Sequence, residues 1–210
     1  MARAGDDGAC RVHGRRAIRA GGQGALNPSH RGVRIGSAWV LAIAFIWLAR
    51  PDYLTLGIGA AVVLVGLLVR GWAAGILRKD RELAVSGPYA FTRNPLYLGT
   101  FLIGIGAVVA GGRLWLGLGF IAWFAWIYGS TMARESGELA ARFGESYGRY
   151  RESVPVLLPR LTPFRPAGDH AAANTAFSPA RYLHNREYEA RLGAVVGLGL
   201  LLLKAAGWPP

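Results

Sequence analysis

The sequence predicts an all-α integral membrane protein, a bundle of about five transmembrane helices with amphipathic helices on the cytoplasmic side. Three observations predict it. Apolar residues make up 52% of the chain and gather in long runs. Charged residues are only 17%, against roughly 25% in an average soluble domain. The basic excess, a net charge of +12, lies between the runs rather than inside them. That placement follows the bias of cytoplasmic loops toward Lys and Arg. It accounts for the basicity more simply than nucleic-acid binding does, and no nucleic-acid partner is expected.

The elements follow in order. Residues 1–34 are rich in Arg and Gly without apolar periodicity, and read as a disordered basic arm or an upstream extension. The first apolar run, 35–49, is bounded by Arg34 and Arg50 and is short for a span of about 20 residues. Pro51 breaks the chain, and the second run, 53–69, ends at Arg70, so the two read as a tight helical hairpin. Residues 70–94 are polar and basic. The third and fourth runs, 95–112 and 114–131, are separated by Gly112-Arg113. A polar stretch, 132–191, precedes a fifth run at 192–203, whose Lys204 must snorkel to an interface. The chain thus divides into the arm (1–34), a membrane core (35–160), a flexible cytoplasmic linker (161–190) and a C-terminal transmembrane helix (191–210). Counting Lys and Arg puts the N-terminus and the loops at 70–93 and 132–191 in the cytoplasm and the C-terminus outside an inner or plasma membrane.

Two polar segments carry chemistry. In the first, Gly87-Pro88 marks a turn, Arg93 stands at the mouth of the third run, and Pro95 suits a first helical turn with Asn94 as N-cap. Such a helix start beside Arg93 either holds an anion or is a membrane-entry turn with Arg93 and the tyrosines at the headgroups. In the second, Glu135 directly follows the fourth run, where an acid must be paired or solvated. Leu139, Phe143, Tyr147 and Tyr150 recur at helical spacing and suggest an amphipathic helix lying along the membrane surface. Gly104 and Gly106 read first as close helix packing and second as a backbone approach to a cofactor. Residues 185–189, charged and just before the fifth run, read as a membrane-flanking collar in preference to a strap folded onto the site. A single cysteine, Cys10, excludes an intrachain disulfide. The four histidines are scattered, so no metal is expected.

Taken together the segments resemble the isoprenylcysteine carboxyl methyltransferase family and the related membrane phospholipid methyltransferases. The resemblance rests on Gly87-Pro88-Tyr89, then Arg93-Asn94-Pro95-Leu96-Tyr97-Leu98-Gly99, two apolar runs, Glu135, Leu139, Phe143-Gly144, Tyr147, Tyr150 and Val154-Pro155. In one position the pattern departs: the second acid of a Glu-Glu pair falls on Ser136. The resemblance implies S-adenosylmethionine as cofactor, in a cytoplasmic-facing pocket shaped by Gly87, Pro88, Tyr89, Arg93, Asn94, Pro95, Tyr97 and Tyr147. It implies Gly104 and Gly106 against that cofactor, Glu135 on its ammonium, and Arg93 and Glu135 as the catalytic pair. The implied acceptor is a lipid or a small prenylated molecule, with a carboxylate ahead of a phospholipid amine. A nicotinamide-dependent sterol-type reductase and a non-catalytic membrane scaffold are the rival readings.

Overall fold

The computed structural model describes residues 28–77, 83–165 and 176–208. The described residues are helical, with no strand among them. Of the expected basic arm, 1–27 lies outside the described residues, whereas 28–34 is already helical. The chain forms two compact units, Met1–Ser37 and Ala38–Pro210. The first turns of helix α1 (Pro28–Leu48) belong to the former, and everything below concerns the latter.

Helix α2 (Tyr53–Ile76) starts on a reciprocal cap. Asp52 Oδ1 accepts from the Leu54 and Thr55 amides at 2.9 and 3.0 Å, and Thr55 Oγ1 accepts from the Asp52 amide at 3.2 Å. Each bond satisfies an amide that the helix start leaves orphaned. The Thr55 amide, foremost, holds the Asp52 carboxyl below its usual range. Its folded value is depressed, so the cap's contribution is complete above the ordinary carboxylate pKa and is lost as pH falls through the folded one. We expect Asp52→Ala to melt below the wild type at neutral pH in detergent, with the gap closing in acid. A gap that does not change with pH would contradict this.

α2 packs on α3 (Pro95–Ala110) through glycines placed about two turns apart on each helix. A Cβ at Gly66 would lie 2.7 Å from the Gly99 carbonyl oxygen, and one at Gly106 would lie 2.7 Å from the Val63 amide nitrogen and 2.8 Å from the Gly59 oxygen. The two backbones are therefore in direct contact, as small residues allow in membrane bundles.

Helix α4 (Leu116–Ser153) differs from expectation. The fourth apolar run does not hand over to a separate helix on the membrane surface. Instead it continues unbroken through Arg134, Glu135 and Leu139 as far as Gly144. There φ is 50° and ψ −125°, a backbone region essentially reserved for glycine, and the last turns swing away. Tyr147, Tyr150 and Val154 then form a buried cluster against Leu83, Leu139, Phe143 and Phe164.

The expected linker is also largely structured. The Phe164 amide donates to the Ala90 carbonyl at 2.9 Å. Residues 166–175 lie outside the described set, and the chain then docks on the C-terminal end of α2. The Ser178 amide donates to the Gly75 oxygen at 3.0 Å, Arg181 to the Ile76 oxygen at 2.9 Å, and Asn185 Nδ2 to the Ala74 oxygen at 2.9 Å. These are carbonyls that a helix end leaves without partners. The short helix α5 (Pro179–His184) belongs to this strap, and α6 (Tyr188–Ala205) follows. Lys204 resolves its awkward position by capping the C-terminal end of α1, donating to the Ile46 and Trp47 oxygens at 2.8 and 2.9 Å.

Helix length and composition among the described residues do not by themselves establish the expected five spans. Two described helices, α2 and α4, are long and apolar enough to cross a membrane. The apolar parts of α1 (Gly36–Leu48) and α3 are shorter, and α6 carries Glu189, Arg191 and Lys204. Large apolar side chains nevertheless face outward on α1, α2, α4 and α6, among them Trp47, Leu54, Leu118, Trp126 and Leu192, each more than half exposed. A soluble surface rarely carries apolar area so extensive, and the chain is a membrane protein.

Candidate active site

The polar ends of α2, α3, α4 and α6 surround a cavity of about 450 Å³, within the usual range of about 300–1,000 Å³ for small-molecule pockets. Met132, Glu135, Ser136, Leu139 and Phe143 face it from α4. Their spacing of three to four residues places them on one helix face. A 3₁₀ turn (Gly87–Ala90) and the start of α3 form the opposite wall. That wall is strapped down by the segment after α4. The Arg93 amide donates to the Pro155 oxygen and the Arg160 amide to the Phe91 oxygen, both at 2.9 Å, and Thr92 Oγ1 donates to the Leu157 oxygen at 3.0 Å.

Glu135 and Arg93 both face this cavity. Tyr97 donates its hydroxyl to Glu135 Oε1 at 2.7 Å. Arg93 donates from a terminal nitrogen to the Tyr147 hydroxyl at 3.3 Å, and its Nε is buried without a partner. Neither Glu135 nor Arg93 pairs with an opposite charge among the described residues. The Tyr147 hydroxyl lies 2.6 Å from Ser136 Oγ. Where a second acid would face Arg93, the chain thus offers two neutral hydroxyls. Glu138 does not stand in for that acid, because its side chain is 62% exposed and leans on Arg134. Burial raises the tyrosine pKa values of both Tyr89 and Tyr150, so both stay neutral. Tyr150 donates to the Tyr89 carbonyl at 2.7 Å, whereas the Tyr89 hydroxyl is buried without a partner.

Of the residues singled out in the sequence, Tyr89, Arg93, Asn94, Pro95, Tyr97, Glu135 and Tyr147 line this cavity. Gly87 and Pro88 do not; they form the turn that carries Tyr89, and Gly87, at φ 59°, lies against Ile76. Gly104 and Gly106 are not brought here either. Gly106 abuts α2 at Val63, and Gly104 abuts Phe120, so helix packing occupies both positions. Asn94 does not cap α3 with its side chain; its Nδ2 donates instead to the Val156 oxygen at 2.9 Å. Sequence reasoning missed Arg70, and took the strap at 185–187 for a collar. Arg70 grips Glu187 through two nitrogens at 2.8 and 3.0 Å and also donates to Thr100, while Asn185 and Glu187 line the cavity. The only signal in the sequence was an acid and an amide just ahead of an apolar run. Among the described residues no group of His, Cys, Asp and Glu is arranged to hold a metal.

A second, apolar cleft of about 360 Å³ opens between α1, α3 and α4, lined by Phe45, Gly104, Ala107, Phe120 and Trp123. Aromatic rings run from it toward the polar cavity: Phe120 lies 5.8 Å from Phe124, Phe124 4.6 Å from Tyr128, and Tyr128 5.2 Å from Tyr97.

Comparison with known proteins gives a family and relatives. Residues 53–146 match the phospholipid methyltransferase family. A cobalt-zinc-cadmium resistance protein of Cupriavidus metallidurans is 34% identical over 120 residues, 55% of this chain and 53% of that one. A nickel-cobalt-cadmium resistance protein of Alcaligenes xylosoxydans xylosoxydans is 34% identical over 119 residues, 51% of this chain and 54% of that one. A protein-S-isoprenylcysteine O-methyltransferase of Schizosaccharomyces pombe is 30% identical over 102 residues, 49% of this chain and 43% of that one. The chain spans about half the length of the curated relatives it matches. No solved structure matches it.

Proposed function

Since residues 53–146 belong to the phospholipid methyltransferase family and the likeness to isoprenylcysteine methyltransferases holds, we propose that the chain transfers a methyl group from S-adenosylmethionine to an amphiphilic acceptor, a carboxylate ahead of an amine. The observation that carries this reading is the unbalanced pair lining the cavity. Glu135 offers a carboxylate without a cation, and Arg93 offers a buried Nε without an acceptor. Together they suit a zwitterionic amino-acid end, Glu135 taking the ammonium and Arg93 a carboxylate. Tyr89, Tyr97, Phe143 and Tyr147 line the same cavity, and aromatic rings favour a cationic sulfonium.

Bound S-adenosylmethionine would supply both the activated methyl and its own leaving group. An acceptor carboxylate is already ionised at neutral pH and needs no base. With a carboxylate acceptor no side chain would have to move a proton. The protein's task is to align acceptor and methyl at near-attack distance and keep water out. Arg93, fixed by Tyr147 and by the Pro155 carbonyl on its own amide, orients the anionic group. Glu135, fixed by Tyr97, is the group able to take a proton from an amine acceptor. The apolar cleft and the aromatic rings leading from it favour an acceptor with a lipid or prenyl tail.

This reading carries five membrane crossings, with the N-terminus and the site cytoplasmic and the C-terminus outside. The C-terminal end of α2, the polar half of α4 and the starts of α3 and α6 gather at the cavity, an arrangement that alternate crossings would give, and the Lys and Arg bias of the sequence supports a cytoplasmic site.

Calorimetry on detergent-purified protein tests the cofactor. We expect saturable S-adenosylmethionine binding that Glu135→Ala weakens at least about tenfold, the scale of one hydrogen bond to a charged group. A well-folded wild type that binds none would overturn the reading in favour of a non-catalytic scaffold.

A further inference from the structure

Glu187 lies beyond the family-matched segment, yet it is one of the cavity's two most enclosed acids. Its side chain is 7% exposed, and Arg70 holds both of its oxygens, at 2.8 and 3.0 Å. Asn185, beside it, spends its Nδ2 on the Ala74 carbonyl, so the atom it can turn toward a ligand is an acceptor oxygen. On the same cavity, Tyr89 is 7% exposed and its buried hydroxyl has no partner in the protein. A buried hydroxyl left unbonded is costly, which indicates that a ligand completes it.

Glu135 and Glu187 differ in charge balance. Glu135 accepts from the Tyr97 hydroxyl and has no ion-pair partner among the described residues, which suits a cation. Glu187 is neutralised by Arg70, yet a carboxylate bonded in this way still has lone pairs to offer. A balanced acceptor suits neutral donors, namely hydroxyls. We propose that Glu187, with Asn185 and Tyr89, forms a subsite for the vicinal hydroxyls of the cofactor's ribose, and that Arg70 is the positioning residue that aims Glu187. This rests on the cofactor reading above. It makes the strap at 176–187 part of the binding site, so that the site extends past the segment that defines the family.

Titration with S-adenosylhomocysteine and with 5′-methylthioadenosine, which keeps the ribose but lacks the amino-acid end, tests the subsite. Glu187→Gln is expected to weaken both nucleosides alike, by about tenfold, whereas Glu135→Gln weakens only S-adenosylhomocysteine. The double variant Arg70→Gln/Glu187→Gln removes both buried charges together, guards against misfolding, and is expected to show the same loss with a melting temperature near that of the wild type. Unchanged affinities in these variants, or a loss confined to S-adenosylhomocysteine, would overturn the subsite while leaving the cofactor assignment in place. A wild type that binds neither nucleoside overturns the cofactor reading and this subsite with it.

Discussion

Gly106→Val should prevent the protein from reaching its folded state in detergent. A Cβ there would stand 2.7 Å from the Val63 amide and 2.8 Å from the Gly59 carbonyl. Both are backbone atoms of a neighbouring helix, which cannot rotate away as a side chain can. Ordinary overpacking costs about 1–3 kcal/mol, and here relief requires moving α2 bodily from α3. We expect a loss beyond about 3 kcal/mol, seen as aggregation or as a collapsed melting temperature. Gly66→Val, facing the Gly99 carbonyl and Ile103, should behave alike. Gly57→Ala is the control, since it lies on the same helix with nothing within 4 Å of an added Cβ. A Gly106→Val protein that melts with the wild type would show that the two helices do not meet as described. The consequence reaches the cavity, because α3 carries Pro95 and Tyr97 into it and α2 carries Arg70, which holds Glu187 at its wall.

Arg93→Lys should cost the largest share of activity while leaving the fold intact. The guanidinium is a rigid fork: one terminal nitrogen reaches the Tyr147 hydroxyl, and Nε is held in the cavity wall without a partner. An ammonium keeps the charge but loses the fork, so it cannot hold Tyr147 and a carboxylate together. We expect kcat/KM for methyl transfer to an S-prenylated cysteine carboxylate to fall about 100-fold, close to 2.7 kcal/mol. The melting temperature should stay near the wild-type value, because the backbone of Arg93 remains tied to Pro155. Full turnover by Arg93→Lys would remove Arg93 from the reacting site and leave it a membrane-entry charge.

Ser136 links these expectations to the family pattern. A second acid there would reach Tyr147 and, through it, neutralise Arg93. With serine the hydroxyl pair leaves the guanidinium without an opposite charge among the described residues, available to the carboxylate proposed for it. Comparing initial rates on prenylated carboxylate and phospholipid amine acceptors is the direct measure of the preference between them.

Much of the molecule could be read from the residues in order. Apolar runs longer than a soluble core needs, with arginines at their ends, specify helices in a membrane whatever their partners. The turn at 87–94 and the face Glu135, Leu139 and Phe143 were legible because turn chemistry and helical spacing are local properties. So Tyr89, Arg93, Tyr97, Glu135 and Tyr147 were expected to share one site, and they line one cavity.

Other features depend on which helix lies against which. Gly104 and Gly106 have the same composition as a cofactor-facing stretch, and only the positions of Phe120 and α2 assign them to packing. The unbroken run of α4 into its polar half was hidden because a change in hydropathy does not by itself end a helix; the break waits for Gly144, where the backbone needs a positive φ. Arg70 and Glu187 are far apart in sequence and meet only because α6 returns beside α2. Local sequence determined the helices and the chemistry at their ends. Long-range packing, in which buried charges and exposed carbonyls must find partners wherever the chain brings them, decided which of those ends became the site.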